Sequence, residues 1–396
     1  MKAFLLSGKA IVLGFVLGLI CAFFRLPGTE ALASGIAFAF MSALKLISIP
    51  LIFLAIVATL ASLESFGKAA RMIRILFSFT RLTTLLAATV ALILFITINP
   101  VTAFPREQLA TFSAPPGSYL SFLKEAIPDN IIAPLIEGNV IGVALIATLI
   151  SAAILSLPQE QAEPLRHFFS SLFQAMLTIA RWIIALIPIA TFAFTVEFIA
   201  SLRDNTASLT PILLYAACVV GANLIQGIIV LPLILKQQGI APSRLARAMS
   251  PALMVAFFAK SSNAALPVTL KCADEKAGIS KKTAGISLPL CSVINMNGCA
   301  AFILITVLVV SMSSGLALSV WQMVPWIFFA TFAAIGNAGV PMGCFFLTTA
   351  FLTSMNIPLE LLGVILPLYT VFDMIETSLN VWSDSCVTAI TDKRLH

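Results

Sequence analysis

The sequence predicts an all-α polytopic membrane protein with eight transmembrane helices and two re-entrant helical hairpins. Three observations carry this expectation. Of 396 residues, 60% are hydrophobic and only 10% are charged, against about 25% charged in a typical soluble domain. Mean hydropathy is +1.06, so a soluble fold could not cover its own surface. The apolar stretches also run for about 20 residues, the length a spanning helix needs. They lack the apolar–polar alternation of a transmembrane barrel strand.

The first span is expected at Ala3–Phe24, where Lys9 interrupts a start that otherwise resembles a signal peptide, so it is read as retained. The second, Ala37–Leu63, is expected to be broken by Pro50, because proline removes a helix N–H. The third is Ile73–Ile98, followed by a Pro-rich stretch at Asn99–Asp129. The fourth is Ile131–Leu157, the fifth one long helix at Leu165–Leu202 containing Pro188, and the sixth Ser208–Leu235.

Beyond Leu235 the apolar segments are interrupted. Arg244–Val268 holds Lys260-Ser261-Ser262-Asn263 near its middle, and Trp321–Met355 holds Gly336-Asn337-Ala338-Gly339-Val340-Pro341. Broken backbone at membrane depth must be buried in protein or line a water cavity, and paired discontinuous helices point to a transporter binding site. These two are read as the hairpins. The span between them, Ala284–Val310, carries Asn295 and Asn297 halfway, and the last, Pro358–Ile390, carries Asp373, Glu376, Asn380 and Asp384.

With the N-terminus inside, only Arg25, Arg106, Lys124 and Arg203 of the loop Lys and Arg residues fall outside. The positive-inside rule therefore places both termini in the cytoplasm. The formal charge of +6 follows from these loops and gives no reason to expect a nucleic-acid partner. Seven cysteines without a C-x-x-C pair are read as small packing residues, and two histidines, His167 and His396, exclude a His-based metal site.

The last helix carries the chemistry. Asp373, Thr377, Asn380 and Asp384 are spaced 4, 3 and 4 and share one face, with Glu376 beside it. Each carboxylate at membrane depth costs about 2.5–3.5 kcal/mol on insertion scales, so the set must meet cations, donors or a wet cavity. The structural alternative is hydrogen bonding between helices. An unwound Asn295-Met296-Asn297-Gly298 segment offers oxygen ligands that suit Na⁺. Ser261, Ser262 and Asn263 at a helix start favour an anion such as a substrate carboxylate. An intramembrane enzyme using Asp373 and Asp384 as an acid–base pair is disfavoured, because 11 residues of helix hold them about 16 Å apart.

Several of these segments resemble one family. Lys260-Ser261-Ser262-Asn263-Ala264-Ala265-Leu266-Pro267-Val268-Thr269 is similar to the serine-rich first hairpin of the dicarboxylate/amino acid:cation symporters, the glutamate-transporter family. Asn295-Met296-Asn297-Gly298 resembles that family's Asn-Met-Asp-Gly motif, and Gly336-Asn337-Ala338-Gly339-Val340-Pro341 its second-hairpin tip. Asp373-Met374, Thr377, Asn380-Val381 and Asp384 match its last helix, and Leu46–Leu51, Thr83-Thr84 and Ile187–Ile189 fit earlier ones.

The resemblance implies an elevator-type fold and a homotrimer. Residues 1–70 and 129–204 would form a trimerisation scaffold. Residues 71–98 and 205–396 would form a transport domain, with hairpin 1 at about 241–273, hairpin 2 at about 318–356 as the gate, and the last helix at about 358–391. Asp373 would bind the substrate ammonium; Asn380 and Ser262 would bind its carboxylate. The implied substrate residues are Ser261, Ser262, Asn263, Asn337, Gly339, Val340, Pro341, Asp373, Glu376, Thr377 and Asn380. The implied cation residues are Thr83, Thr84, Cys291, Asn295, Met296, Asn297, Asn380 and Asp384. Coupling would be to Na⁺, or to H⁺ through Glu376, with no organic cofactor.

Two departures shape the expected activity. Glu376 stands where acidic-substrate members carry an arginine, and two like charges about 4 Å apart cost about 4 kcal/mol at an effective dielectric of 20. The expectation is therefore a cell-membrane (inner-membrane) symporter of neutral or cationic amino acids. The alternatives are an acidic amino-acid or dicarboxylate symporter and a passive channel of the same fold. Glu376 is expected either to contact substrate or to pair with Lys260. Asn297 replaces the aspartate of the third cation site, which weakens that site for Na⁺.

Overall fold

In a computed structural model of the chain, the described residues are 8–25, 27–61, 70–103, 130–137, 140–203, 209–337 and 342–395. Among them the chain is helical and has no strand. The first part forms α1 (Gly8–Phe23), α2 (Thr29–Ala61), α3 (Ala70–Ile98), a short α4 (Ala133–Glu137), α5 (Val140–Ser156), α6 (Gln159–Ile184) and α7 (Ile187–Arg203). The second forms α8 (Leu209–Ile225), a π turn (Gln226–Val230), α9 (Leu231–Gln237), α10 (Pro242–Ala259), α11 (Ser262–Glu275), α12 (Lys281–Ile294), α13 (Asn297–Ser313), α14 (Val320–Met323), α15 (Pro325–Gly336), α16 (Gly343–Ser354) and α17 (Glu360–Leu395).

Five stretches among the described residues are long and apolar enough to cross a membrane: Thr29–Ala58, Arg71–Ile98, Leu209–Gln237, Lys281–Ser313 and Glu360–Leu395. The bent pair Gln159–Ile184 and Ile187–Ala200 makes a sixth if it is one span. By length, α1 at 16 residues and α5 at 17 fall just short of the expected eight. Large apolar side chains such as Phe38, Leu213, Ile228, Phe258 and Phe328 face outward, a surface suited to hydrocarbon.

One expected break is absent and one unexpected break is present. Helix α2 runs continuously through Pro50, so that proline does not divide the second span. The single fifth helix is instead two helices, α6 and α7, bent by 48°. Pro188 supplies the reason: it has no N–H to give, and its ring clashes with the carbonyl four residues back, at Ile184, where α6 ends.

Packing sorts the helices around two centres. Helices α1 and α7 lie close together, and α2 packs on α5, α6 and α7. Small residues permit the approach: a Cβ on Gly14 would sit 2.1 Å from the Pro188 carbonyl oxygen, and one on Gly18 would lie 2.8 Å from that of Phe192. Without a water-driven hydrophobic effect between spans, such close backbone packing is what associates them. The second centre is α13, in which every residue except Met312 is buried. Helices α3, α8, α15, α16 and α17 surround it, as expected for a helix apolar on all sides.

Gly14→Leu should drive α1 from α7 and lower stability by about 1–3 kcal/mol, read as a lower melting midpoint of the detergent-purified protein. Gly285→Ala, where an added Cβ meets open space, should leave the midpoint unchanged or raise it.

Candidate functional site

Three interruptions of the helical backbone meet the buried half of α17. At the first, Lys260 takes a left-handed conformation (φ 51°) and closes α10, and the Ser261 side chain then caps α11 by accepting from the Ala264 N–H at 3.3 Å. A two-residue link thus turns the chain into a tight α10–α11 hairpin. At the second, Asn295 and Met296 leave the helical region between α12 and α13. At the third, α15 gives way to Asn337, and α16 resumes after Met342 (φ 59°). Gly339, Val340 and Pro341 lie outside the described residues.

A cavity is lined by Lys260, Ser261, Ser262, Met296, Cys299, Asn337, Gly343, Cys344, Asp373, Glu376, Thr377 and Asn380. Its free space is about 10 Å³, room for roughly one water. Seven of the eleven expected substrate residues are among its walls. Asn263 is not: it is exposed, and its side chain accepts from Ser292 Oγ at 3.3 Å. Ser262, Asn337, Asp373, Glu376, Thr377 and Asn380 are all buried.

The two carboxylates of this cavity lie one helical turn apart on α17. Both Glu376 oxygens are buried without a hydrogen-bond partner, so the alternative of a structural pair with Lys260 is not realised, although both residues line the cavity. Helix α13 reaches Glu376 only because residue 298 is glycine, where a Cβ would lie 2.8 Å from Glu376 Cα. The Gly298 N–H donates to Asn380 Oδ1 at 2.8 Å, which leaves the Asn380 amide NH₂ on the cavity side with only a long contact, 3.6 Å, to Cys299 Sγ.

Deeper along α17, the expected cation residues converge. Asn295 Nδ2 donates to Asp384 Oδ1 at 3.0 Å and to Ser383 Oγ at 2.9 Å. Thr83 Oγ1 donates to Asn295 Oδ1 at 3.2 Å. Asn297 Nδ2 faces three oxygens, Asn295 Oδ1 at 3.0 Å, Thr83 Oγ1 at 3.3 Å and Thr84 Oγ1 at 3.4 Å. Its orientation is set from behind, where Gln226 Nε2 donates to Asn297 Oδ1 at 2.7 Å and to the Thr83 carbonyl at 2.9 Å. The amide NH₂ thus occupies the centre of an oxygen cluster that a cation would otherwise share. Cys291 is buried one turn before the break, its carbonyl accepting the Asn295 N–H at 2.8 Å, and Met296 forms part of the cavity wall.

Sequence reasoning did not single out Gln226, Ser383, Cys299 or Cys344. Gln226 opens the π turn of the sixth span; an amide in an otherwise apolar stretch was the available signal, since π turns recur at functional sites. Trp382 Nε1 bonds the Gly227 carbonyl within that turn at 3.0 Å. The reading of the cysteines as packing residues fails for one pair: Cys299 and Cys344 form a disulfide, while Cys21, Cys218, Cys272, Cys291 and Cys386 are free.

Asn295→Ala should remove the amide that bonds Asp384 and the acceptor that bonds Thr83. Leaving a buried carboxylate without that donor should cost about 1.5–3 kcal/mol, read as a lower melting midpoint, and Asn295→Asp should not restore it, because it brings a second carboxylate to the first.

Residues 8–394 match the sodium:dicarboxylate symporter family. Among individual relatives, the chain is 31% identical over 258 residues to excitatory amino acid transporter 3 of Mus musculus, covering 64% of this chain and 49% of that protein; it spans about half the length of that relative. It is 26% identical over 427 residues to neutral amino acid transporter B(0) of Oryctolagus cuniculus, covering 96% and 78%. It is 26% identical over 387 residues to neutral amino acid transporter A of Homo sapiens, covering 86% and 72%. A match that runs from α1 to the end of α17, through every break that builds the cavity, makes this chain a member of the sodium:dicarboxylate symporter family, a family of membrane transporters and not of enzymes.

Proposed function

We propose that the protein is a cation-coupled symporter of neutral or cationic amino acids. The observation that carries the substrate side is Glu376, a buried carboxylate with both oxygens unpartnered, in the cavity that also holds Asp373. A substrate with a carboxylate side chain would add a third negative group there. An ammonium beside Asp373 is favoured by Coulomb attraction, and a neutral or basic side chain is compatible with Glu376. Lys260, the start of α11 with Ser262, and the amide NH₂ of Asn380, held only by a long contact to Cys299 Sγ, supply donors for the α-carboxylate. Relatives named for neutral and for excitatory amino acids both match this chain, and Glu376 favours the neutral side of that division.

In this reading Na⁺ is the main coupling ion, held by Asp384 with Asn295 and Asn380, and by backbone groups near Met296. H⁺ on Glu376 is the second carrier. The oxygen cluster of Thr83, Thr84 and Asn295 takes no ion, because the Asn297 amide already satisfies it. Each net charge carried inward contributes about 2.3 kcal/mol per 100 mV, so one fewer Na⁺ per cycle lowers concentrative power. Eight spans with two hairpins, a scaffold and an elevator-like transport domain, a homotrimer, and placement in the cell membrane with both termini cytoplasmic complete the proposal.

Proteoliposomes containing the protein should accumulate a neutral or basic amino acid against its gradient under an imposed Na⁺ or H⁺ gradient. Flux that only equilibrates would favour a channel, and accumulation of aspartate or glutamate would favour the acidic-substrate reading. Glu376→Arg should shift the preference toward acidic substrates by tenfold or more; unchanged preference would remove Glu376 from the side-chain pocket. Asn297→Asp should steepen the Na⁺ dependence of uptake, and an unchanged Hill coefficient would show that the Thr83 cluster takes no ion even with a carboxylate.

A further inference from the structure

We propose that Cys299 and Cys344 are a redox modification site whose disulfide fastens the substrate cavity shut. The two residues are 45 apart in sequence, with Cα atoms 5.4 Å apart and their sulfurs bonded, a separation within the usual disulfide range of about 4.4–6.8 Å. Cys299 lies in the first turn of α13 and Cys344 in the first turn of α16, and both line the cavity. Asn337 reaches both sulfurs, its Nδ2 contacting Cys299 Sγ at 2.8 Å and Cys344 Sγ at 3.7 Å.

The bond matters because the cavity is too small to work as it stands. Its free space of about 10 Å³ has room for roughly one water, and every amino acid is several times larger than that. The walls must part for a substrate to enter. Helix α13 is buried on all sides, and the carboxylates belong to the 36-residue α17. The wall that faces the start of α13 is the pair α15 and α16, each 12 residues long and separated by a break, with Gly343–Leu352 of α16 buried. A covalent link from α13 to the first turn of α16 ties down that wall.

The step balances as thiol–disulfide exchange with a low-molecular-weight disulfide. One cysteine thiolate attacks it and releases a small thiol. The second cysteine then displaces the other half, so that one S–S bond forms, one is lost, and both protons leave on two small thiols.

The consequence for transport rests on the symporter reading; the bond itself does not. The experiment treats the full chain in proteoliposomes with hydroxyethyl disulfide and then with dithiothreitol. Mass spectrometry of a non-reduced digest should find the Cys299–Cys344 link after oxidation and lose it after reduction. Initial uptake should fall at least tenfold on oxidation and recover on reduction. Cys344→Ser, normalised to its own reduced rate, should not respond, whereas Cys21→Ser should respond as the wild type does.

Should Cys344→Ser fail to fold, the melting midpoint of the wild type decides: it should be higher when oxidised and fall on reduction. Free thiols after oxidation, or a complete link with undiminished uptake, would overturn the proposal. Absence of uptake in both redox states counts against the symporter reading alone, and the link and the melting shift then test the bond by themselves.

Discussion

Burial of polar groups away from water governs this molecule. The last helix buries Asp373, Glu376 and Asp384, and every residue from Leu379 to Thr391 is buried as well; each carboxylate placed there is costly unless something meets it. Much of the surrounding architecture supplies partners. The break between α12 and α13 brings Asn295 to Asp384, and the start of α13 gives a backbone N–H to Asn380. Glu376 is buried with neither oxygen bonded, and the Tyr369 and Thr388 hydroxyls of the same helix also lack a partner. Glu376 is the carboxylate among these groups, and it lines the cavity, where its oxygens can accept from a group that enters.

The same constraint explains the amide at position 297. Oxygens of Thr83, Thr84 and Asn295 converge there, and a cluster of acceptors needs a positive or donating centre. A bound cation and an amide NH₂ are alternative answers. Gln226 fixes which one this chain uses, because its own NH₂ can meet only the oxygen of Asn297 and so turns the Asn297 NH₂ inward. The Asn297 amide and the glutamine in the π turn therefore act as one unit.

Close backbone approach is the second requirement. Gly298 lets α13 touch α17 at Glu376, and Gly343 lets α16 start against Asn337, where a Cβ would collide with its amide oxygen. Without these glycines the breaks in the chain could not meet, and the cavity would not close to the width that the Cys299–Cys344 bond spans.

Composition and pattern alone determined the membrane class, the positions of the apolar segments, the three broken regions and the acidic face of the last helix. These are local properties: hydropathy over about 20 residues, helical spacing, and the cost of polar backbone in hydrocarbon. The family was legible for the same reason, since its motifs are short and contiguous. Only the tertiary structure decided that Pro50 is tolerated inside a helix while Pro188 begins one. It also decided that Asn263 faces away from the cavity, that Glu376 and Lys260 share walls without pairing, and that the Asn297 amide fills the oxygen cluster. The pairing of Cys299 with Cys344 across 45 residues belongs with these. Each depends on which groups distant in the chain are pressed together once the helices pack, and no local spacing encodes that.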